Sequence, residues 1–503
     1  MARKIRYAKG PVVYLYDLAT RKKKVKQLLW GDWLNIGADI NSRWSEVKWG
    51  KETFAIQNKD YQKERLLELI FLDVGQGDGC ILTTPLMGTK EKIMIVDAGK
   101  GKNMKGFLDY RFRDFKSKFK FHAAVITHPD TDHYLGFQDI FENENISFEN
   151  VYHNGLLERT GSNLLGKIEK RFLTDLYPTK AAAKKLYKVA ANRGGKYYPK
   201  LIWTALSNPD RFDDITMLST QHGEKENGKT WMPGFAPSNG SGLAIEVLGP
   251  VVQKSPNGKK GLRTFGGTPD STSFNSGKTK NGHSVLLRLQ YKEVSILFGG
   301  DLNLPAETFL LRHYGNKGKA PDSSKSVEAM IKKVRERFAV DIMKTCHHGA
   351  ADVTNEFLEA TQPAAFIVSS GDNESHVHPR PDLLGLLGKK GRGERPLILS
   401  TELLRSTREK EDQSDRRKLD ALLKKISNET DAVKKAELEE KRSDLLDEVF
   451  KRNVGVYGAI NIRTDGNQVV VAFRNEVSKG IKKWFYYELE KDNEGTLTTQ
   501  GLV

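Results

Sequence analysis

The densest group of reactive side chains in the sequence is Thr127-His128-Pro129-Asp130-Thr131-Asp132-His133, directly after the apolar run Ala123 to Ile126. Two imidazoles and two carboxylates lie within six residues, and both groups are common ligands of divalent cations. A hydrogen-bonded polar turn is the alternative, but so dense a cluster is improbable by chance in a chain with 11 histidines. The segment therefore predicts a metal-binding loop at the end of a buried strand.

Further acidic residues, histidines and glycines follow other apolar runs of the chain. They lie in Asp73-Val-Gly-Gln-Gly-Asp-Gly79, Ile95-Val-Asp-Ala-Gly99, Leu297-Phe-Gly-Gly-Asp301, Cys346-His-His-Gly349 and Ser369-Ser-Gly-Asp-Asn-Glu-Ser-His-Val-His-Pro379. Continuous apolar runs are typical of strands buried on both faces, as in a sheet covered by helices. Gly75 and Gly77 are expected to permit a tight turn close to the site.

Taken in order, these segments resemble the metallo-β-lactamase superfamily, whose metal-binding signature is His-x-His-x-Asp-His. Asp130 stands here where that signature has its second histidine, and this variant, with the segment from Asp73 to Gly79, is similar to the hydrolase domain of ComEC competence proteins. The resemblance runs from about Leu66 to Phe473, with two interruptions. It implies an α/β protein with an αββα sandwich.

The resemblance also implies a role for each motif. Asp301 would bridge two metal ions, Asp97 would brace the metal-binding loop, and Asp78 and Asn373 would support the site from outside the ligand set. The implied ligands are His128 and Asp130 on one ion, and Asp132, His133 and His378 on the other. His283 is either a further ligand or a loop histidine beside the site. Asp132, His347 and His348 are the candidate catalytic residues, and either His347 or His348 would protonate the leaving group.

Two divalent cations held in this way suit hydrolysis of a phosphodiester by an activated water. Asp130 enriches one site in oxygen ligands, so manganese and magnesium are candidates beside zinc. We expect a metal-dependent phosphodiesterase, with DNA or RNA as the leading substrate. The alternatives are a small-molecule phosphoesterase of the phosphocholine-esterase kind and a non-catalytic binding scaffold.

Changes of pattern along the chain divide it into four parts. Residues 1–62 read as short alternating strands, and Leu29 to Ile36 with Trp44 to Gly50 resemble a bacterial SH3-like barrel. Residues 63–404 form the expected catalytic core, with an insertion at about 155–240 that begins with a basic helical stretch, and a flexible loop at 253–282. Residues 405–453 predict a helical hairpin, and residues 454–503 a C-terminal β-hairpin that completes the core.

Charge and composition constrain the partners and the compartment. The formal charge of +17 and pI of about 9.4 favour a polyanion, with nucleic acid first and an anionic membrane surface second, although any one basic cluster could be only a solvated face. The two cysteines, Cys80 and Cys346, lie in apolar runs and indicate a reducing compartment. No apolar stretch reaches the roughly 18 residues of a membrane span, so we expect a cytoplasmic protein without membrane insertion.

The SH3-like module and the hairpin are candidate surfaces for a protein partner or for self-association. A defence nuclease that a partner activates is one possible setting for such an interaction.

Overall fold

The structure is a computed structural model that describes residues 4–50, 52–267, 273–371, 378–401, 413–456, 459–474, 480–492 and 495–499. The N-terminal part is an antiparallel seven-stranded sheet in the order β3-β2-β6-β5-β4-β1-β7. Its strands are β1 (Lys4–Ala8), β2 (Val12–Tyr16), β3 (Lys24–Leu29), β4 (Trp33–Asp39), β5 (Trp44–Trp49), β6 (Glu52–Gln57) and β7 (Tyr61–Gln62). Alternate residues such as Val13, Leu15, Leu34 and Ile36 fill its own small core.

Two larger sheets form the centre of the molecule. The first has ten strands in the order β15-β12-β11-β10-β9-β8-β26-β27-β28-β29. These are β8 (Leu67–Leu72), β9 (Gly79–Thr83), β10 (Ile93–Ala98), β11 (Phe119–Ile126), β12 (Ile146–His153), β15 (Phe212–Met217), β26 (Ala459–Thr464), β27 (Val469–Arg474), β28 (Trp484–Lys491) and β29 (Leu497–Thr499).

The second large sheet has eight strands in the order β16-β17-β18-β21-β22-β23-β24-β25. These are β16 (Glu224–Glu226), β17 (Lys229–Trp231), β18 (Leu243–Gly249), β21 (Leu286–Tyr291), β22 (Val294–Phe298), β23 (Ile342–Lys344), β24 (Ala365–Val368) and β25 (Leu397–Ser400). A small third sheet joins β13 (Ile168–Glu169), β14 (Phe172–Leu173), β20 (Lys260–Arg263) and β19 (Gln253–Lys254).

Helices lie outside the two large sheets. Beside the ten-stranded sheet are α1 (Asn103–Phe112), α2 (Thr131–Tyr134), α3 (Phe137–Glu142), α4 (Lys180–Lys188), α5 (Ala190–Arg193) and α6 (Tyr197–Ser207). Beside the eight-stranded sheet are α8 (Leu304–Gly315), α9 (Ser324–Phe338), α10 (Asn355–Thr361) and α11 (Pro381–Lys390), preceded by α7 (Ser276–Gly282). The hairpin is α12 (Gln413–Asn428) and α13 (Ala432–Val456), and single 3₁₀ turns lie at Asn58–Asp60, Gly88–Lys90, Arg113–Phe115, Pro237–Asn239 and His347–Gly349.

The main hydrophobic core lies between the two large sheets. In β8, Leu67, Leu69 and Phe71 point into this core, whereas Ile70 and Leu72 point outwards to the helices. Because successive side chains of a strand point to opposite faces, an uninterrupted apolar strand must be covered on both sides. The layers therefore run helix, sheet, sheet, helix. The prediction of a mixed α/β protein with a small N-terminal β domain is confirmed.

The N-terminal sheet covers the outer face of the ten-stranded sheet at β27 and β28, where Leu29 and Trp30 pack on Val470 and Ala472. A buried arginine fixes this contact. Nη1 of Arg463 donates to a carboxylate oxygen of Asp32 and to the carbonyl of Trp30, each at 2.7 Å. The two parts of the chain are therefore joined by both apolar packing and a buried ion pair.

Several segments differ in detail from the sequence-based expectations. In the expected insertion at 155–240, the helical stretch covers Lys180–Lys188 and Ala190–Arg193, whereas residues before it form β13 and β14. β15 extends the ten-stranded sheet, so this segment is built into the layers of the core. The expected flexible loop at 253–282 contains β19, β20 and α7, whose N-terminus is capped by the side chain of Asn275.

The helical hairpin lies at 413–456, with its turn at 429–431; residues 405–412 lie outside the described part. α13 runs along α1 and continues to Val456, so the C-terminal hairpin begins at Ala459. In the part of the chain that is described, no helix has an apolar stretch long enough to cross a lipid bilayer.

Candidate metal centre

The chemistry-bearing segments meet where strands of both large sheets end. Asp97 lies at the end of β10, His128 to His133 follow β11, Asp301 follows β22, and His348 follows β23. β10 and β11 are parallel, and so are β22 and β23, so their carboxyl ends lie at one edge. In open α/β sheets this edge is where binding sites form, since the loops that leave it converge.

His133 is held by a buried carboxylate. Its Nδ1 lies 2.8 Å from Oδ2 of Asp97, and Asp97 also accepts hydrogen bonds from the amide (2.8 Å) and hydroxyl (2.6 Å) of Thr127. Asp97 has a left-handed backbone, with φ 54°, which is a strained conformation for a residue other than glycine. A carboxylate on Nδ1 fixes the ring and leaves Nε2 free to bind a cation, the arrangement found around metal-binding histidines.

His348 is held in the same way by Asp78. Its Nδ1 lies 3.0 Å from Oδ1 of Asp78, while the buried ammonium of Lys344 pairs with Oδ2 of that carboxylate. Lys344 also donates to the carbonyl of Gly300 at 3.1 Å, next to Asp301. Although burial raises it, the pKa of Asp78 is lowered below its usual value by Lys344 and His348. Asp78 is therefore an anion whose two oxygens are both engaged.

Asp301 is the centre around which these groups gather. Its Oδ2 lies 3.2 Å from Nε2 of His133 and 3.2 Å from Nε2 of His348, and the two nitrogens are 3.2 Å apart. Asp132 adds an oxygen 3.4 Å from Nε2 of His348. Ligand atoms on one tetrahedral zinc ion, at about 2.0–2.1 Å from it, are separated by roughly 3.3 Å. Nε2 of His133, Nε2 of His348 and Oδ2 of Asp301 thus have the spacing of ligands on a single ion, with Asp132 next to His348.

A second group of donors lies on the other side of Asp301. Nε2 of His128 is 3.8 Å from Oδ2 of Asp301 and 3.7 Å from Oδ2 of Asp130. His128 Nε2 and Asp301 Oδ1 are both buried and find no hydrogen-bond partner among the described residues. Buried polar atoms are costly to leave unpaired, so these two atoms indicate that something outside the chain completes the site.

Asp130 has a partner of its own in this second group. The ammonium of Lys280 pairs with its Oδ1 and also lies 3.1 Å from Oε1 of Glu158. Lys280 is largely buried, with 13% of its side chain exposed. Oδ1 of Asp130 is therefore engaged by an ammonium, and Oδ2, which faces the side-chain amide of Asn281 at 2.9 Å, is the oxygen 3.7 Å from Nε2 of His128. The sequence indicated Asp130 as a metal ligand, but it did not indicate that an ammonium competes for one of the two carboxylate oxygens.

The electrostatics of the centre favour a bound cation. Burial alone would lower the pKa of His133 and of His348, but the surrounding carboxylates raise it well above the usual range in both. Burial raises the pKa of Asp301, yet the two imidazolium rings hold it well below its usual value. Without a metal, protons on the histidines supply the positive charge that these carboxylates require. A divalent cation would replace those protons, as metal binding at histidine sites generally does.

The remaining predicted site residues lie outside this inner group. His283 directs Nε2 to the carbonyl of Arg263 at 2.6 Å, and burial lowers its pKa to about 4. His347 and His378 lie beside each other with ring centroids 6.0 Å apart, and Nε2 of His347 is 3.5 Å from the side-chain amide of Asn281. Asn373 lies outside the described residues.

The residues present fit a metal ion. Among the described residues, Asp78, His133, Asp301 and His348 are buried and have ligand atoms within 4.8 Å of one another. Both oxygens of Asp78 are already engaged by His348 and Lys344, and Asp132 lies 3.4 Å from Nε2 of His348. A buried cluster able to hold a metal ion is thus part of the structure, whereas the identity and number of ions belong to the proposal below.

No protein-family model matches this chain, and no curated protein matches it in sequence. The assignment of a function therefore depends on the geometry of the site.

Two lysines of the site were missed by sequence reasoning. Lys344 ends the short strand β23, where a lysine usually reads as a solvated strand end, yet its side chain is 3% exposed. Lys280 belongs to a segment that read as flexible loop. A signal existed for Lys344, because it lies two residues before the motif from Cys346 to Gly349. Lys280 meets Asp130 through a tertiary contact that no local pattern encodes.

Proposed function

We propose that this protein is a metal-dependent phosphodiesterase, a hydrolase of the metallo-β-lactamase superfamily that acts on nucleic acid. The observation that supports it most is the pair of carboxylate-held imidazoles whose Nε2 atoms lie 3.2 Å from each other and from Oδ2 of Asp301. The order of layers supports the superfamily, since an αββα sandwich carries its centre at one edge of two facing sheets. The N-terminal sheet is proposed to be an SH3-like binding module.

Two divalent cations would sit on either side of Asp301. His133, His348 and Asp132 would hold one, and His128 with Oδ2 of Asp130 the other. Zinc or manganese suits the mixed nitrogen and oxygen donors, and magnesium is the third candidate. When bound, such a pair lowers the pKa of a shared water and polarises a phosphoryl oxygen.

The protein's own side chains orient the metal ligands and transfer the proton. Asp97 and Asp78 keep the Nε2 atoms of His133 and His348 directed at the centre, so no reorientation is needed when substrate arrives. His347 lies outside the inner group, half-buried beside His378, and its Nδ1 has no hydrogen-bond partner among the described residues. We assign to it the proton transfer to the leaving oxygen, since His348 is occupied with the cluster.

The position of His378 modifies the ligand set implied by the family resemblance. That resemblance made His378 a ligand, but its ring lies beside His347 and is not among the residues whose ligand atoms converge. In our proposal His348 takes the ligand position, and His378 lines the entrance beside the proton donor.

The proposal is tested by a panel of substrates and metals. The purified protein is incubated with single-stranded, double-stranded and circular DNA, with RNA, and with a chromogenic bis-ester of phosphate, each with manganese, magnesium or zinc and with a chelator. We expect metal-dependent cleavage of at least one nucleic acid, abolished by His133→Ala. Cleavage of the bis-ester with every polymer left intact would identify a small-molecule phosphoesterase instead. A protein that neither contains nor binds metal would be a scaffold.

A further inference from the structure

Three arginines that have no acidic partner among the described residues lie on the small sheet and on α8. Arg171 precedes β14, Arg263 ends β20, and Arg312 lies in the last turns of α8. β14 and β20 are paired antiparallel with Phe172 opposite Arg263, and the carbonyl of Arg171 accepts a hydrogen bond from the amide of Thr264 at 2.8 Å. This pairing brings Arg171 and Arg263 together on the small sheet.

Aromatic rings bring the third arginine into the same group. The guanidinium of Arg263 lies 5.7 Å from the ring centroid of Phe172 and 5.9 Å from that of Phe309. Phe309 lies on α8 three residues before Arg312, so the two side chains are neighbours on that helix. The rings hold the Arg263 guanidinium in place through cation–π contact, which reduces its freedom before any ligand arrives.

These positive charges are not neutralised locally. Within the described part of the chain, Arg171, Arg263 and Arg312 make no ion pair with a carboxylate, and Nε of Arg312 is buried without a hydrogen-bond partner. Burial lowers the pKa of the Arg263 guanidinium, and the charges of Arg171 and Arg312 lower it further. Three guanidinium groups gathered on one surface attract an anion.

The connection of this arginine group to the metal centre indicates which kind of anion it binds. The carbonyl of Arg263 accepts from His283, and the next residue, Ser284, contacts both His128 (3.3 Å) and the amide of Asp301 (3.0 Å). Arg312 lies eight residues into α8, about 12 Å along the helix from Leu304. A polymer carries further phosphates beyond the one at the metal centre, so a separate arginine group can bind another phosphate of the same strand, which a small ester does not offer.

A lysine continues the positive charge towards the centre. Lys278 is exposed on α7, which is held to the start of α8 by the 2.9 Å hydrogen bond from Nδ2 of Asn303 to the Lys278 carbonyl. Two residues further along, Lys280 already belongs to the centre. Lys278 thus adds an exposed positive charge on the helix that also carries Lys280.

We infer that Arg171, Arg263 and Arg312 form a phosphate-binding subsite that holds the backbone of a nucleic acid strand several nucleotides from the bond being cleaved. The inference rests on the proposed function and gives it a substrate class, a polymer of phosphodiesters. Guanidinium groups bind phosphate oxygens through paired hydrogen bonds and carry no sequence information, so the subsite selects for length and charge and not for base sequence.

The test measures binding without cleavage. The full chain is titrated, in the presence of a chelator, into a fluorescent single-stranded 20-mer of deoxythymidine, and the affinity is followed by anisotropy between about 50 and 200 mM salt. The variant replaces all three arginines by glutamine, and the matched control replaces Lys184, Lys188 and Lys200, which are exposed on α4 and α6, in the same way. Thermal unfolding checks both variants. The single variant Arg263→Gln, at an exposed position, replaces the triple variant if that does not fold.

We expect the arginine variant to bind the 20-mer about tenfold or more weakly, and the slope of log affinity against log salt to decrease by about 2, since each lost phosphate contact contributes roughly 0.7. Unchanged affinity and slope would overturn the inference, and so would tighter binding to phosphatidylglycerol vesicles than to the 20-mer. Binding is measured without metal and does not depend on cleavage. If the protein cleaved nothing, the proposed function would be overturned, but weaker binding of the 20-mer by the arginine variant would still support the subsite.

Discussion

A carboxylate that accepts a hydrogen bond from one imidazole nitrogen holds the ring so that the other nitrogen is directed at a cation. At this centre Asp97 does so for His133 and Asp78 does so for His348, with Lys344 securing Asp78 from the opposite side. His347 and His348 both adopt left-handed backbone conformations, with φ 50° and 54°. Strain of that kind persists only where surrounding contacts impose it, and here it turns adjacent histidines in different directions. Because of this turn, His348 faces His133 while His347 faces His378, as the separate roles that we propose for them require.

Replacing Asp78 by asparagine tests the importance of this support. The amide cannot balance the charge of Lys344 and gives His348 a weaker partner, so we expect the affinity for manganese or zinc to fall about 10- to 100-fold. Titration calorimetry on the metal-free protein measures it.

Asp341→Asn is the control, since Asp341 is a buried carboxylate at the other end of β23, bound to Ser295 and Arg392. That variant should lose stability and keep its metal affinity. Equal metal affinity in the Asp78 variant and the unaltered protein would show that Asp78 does not position His348.

At this scale the sequence carried much of the site. The resemblance to known motifs indicated the metal-binding loop, Asp97, Asp301 and the paired histidines, all of which lie at strand ends in the structure. Lys280 and the three arginines could not be identified in this way. Their roles depend on residues distant in the chain, such as Asp130 for Lys280. Charge patterning identifies basic residues, but only the fold shows which of them lack a carboxylate.

Among the elements, the glycine loop between β8 and β9 is fitted against the short helix α2. A Cβ atom at Gly77 would lie 1.7 Å from the carbonyl oxygen of Asp132, whereas one at Gly75 would find its nearest neighbour, Nδ2 of Asn103, at 3.5 Å. Both glycines have positive φ, 96° and 83°. The loop can therefore approach Asp132, a ligand in our proposal, closely only because Gly77 has no side chain.

The two glycines give a matched pair of variants. Gly75→Ala should cost about 1–2 kcal/mol of unfolding free energy from backbone strain alone and leave metal binding intact. Gly77→Ala carries the same strain and also displaces Asp132, so we expect metal affinity to fall by at least tenfold. Urea unfolding and metal titration of both variants check this. Similar metal affinities for the two would mean that the loop yields without disturbing Asp132.

Helix α8 and the loop before α10 are connected by a buried acid. Glu307 accepts hydrogen bonds from the amide and hydroxyl of Thr354, at 2.5 and 2.9 Å, and burial raises its pKa to about 8. Between pH 4.5 and 8 the folded protein holds a proton there that the unfolded chain has released. Stability from this residue is therefore greatest below pH 4.5 and is lost as pH rises towards 8.

Glu307→Gln removes that titration. We expect the variant to lose less stability than the unaltered protein between pH 5 and pH 8, by up to about 1.4 kcal/mol for each pH unit. Denaturant unfolding at several pH values measures the difference, with Glu336→Gln, an exposed position, as the control. Parallel pH profiles for the Glu307 variant and the unaltered protein would contradict the assignment.

Element boundaries show where sequence patterns were sufficient. Strands such as Val294–Phe298 and the helix Ser324–Phe338 follow from continuous or periodic apolar residues. The segment from 253 to 282 was misleading, because its glycine, serine and lysine content is typical of a loop. Its strands exist because β20 pairs with β14, a contact about 90 residues apart in the chain that composition cannot indicate.

For the whole molecule, the N-terminal sheet forms an outer layer over the ten-stranded sheet at β27. Arg463 secures it by pairing with Asp32 and Glu68, and Glu68 is held ionised, with its pKa lowered to about 2, chiefly by Arg111 and Arg463 against the effect of burial. The sequence indicated a separate β module, but nothing in its pattern indicated which face of the core it covers.

Arg463→Ala tests this attachment. The change leaves Asp32 without its buried partner, so we expect a loss of about 3–5 kcal/mol in the free energy of unfolding. Lys491→Ala, which removes a partly exposed pair with Glu293, should cost about 1 kcal/mol or less. Urea unfolding of both variants gives the comparison. A loss for Arg463→Ala no larger than that of the control would show that apolar packing alone holds the N-terminal sheet.

The pairing of β8 with β26 has a consequence for how the chain reaches its final form. Leu67 lies opposite Thr464, so one side of this central strand remains open until about 400 further residues have left the ribosome. During that interval an apolar strand edge is exposed, which favours wrong pairing and calls for a chaperone. Assembly of this sheet is thus a late event in synthesis, and a premature stop anywhere before β26 would leave the nascent protein with an unfinished core.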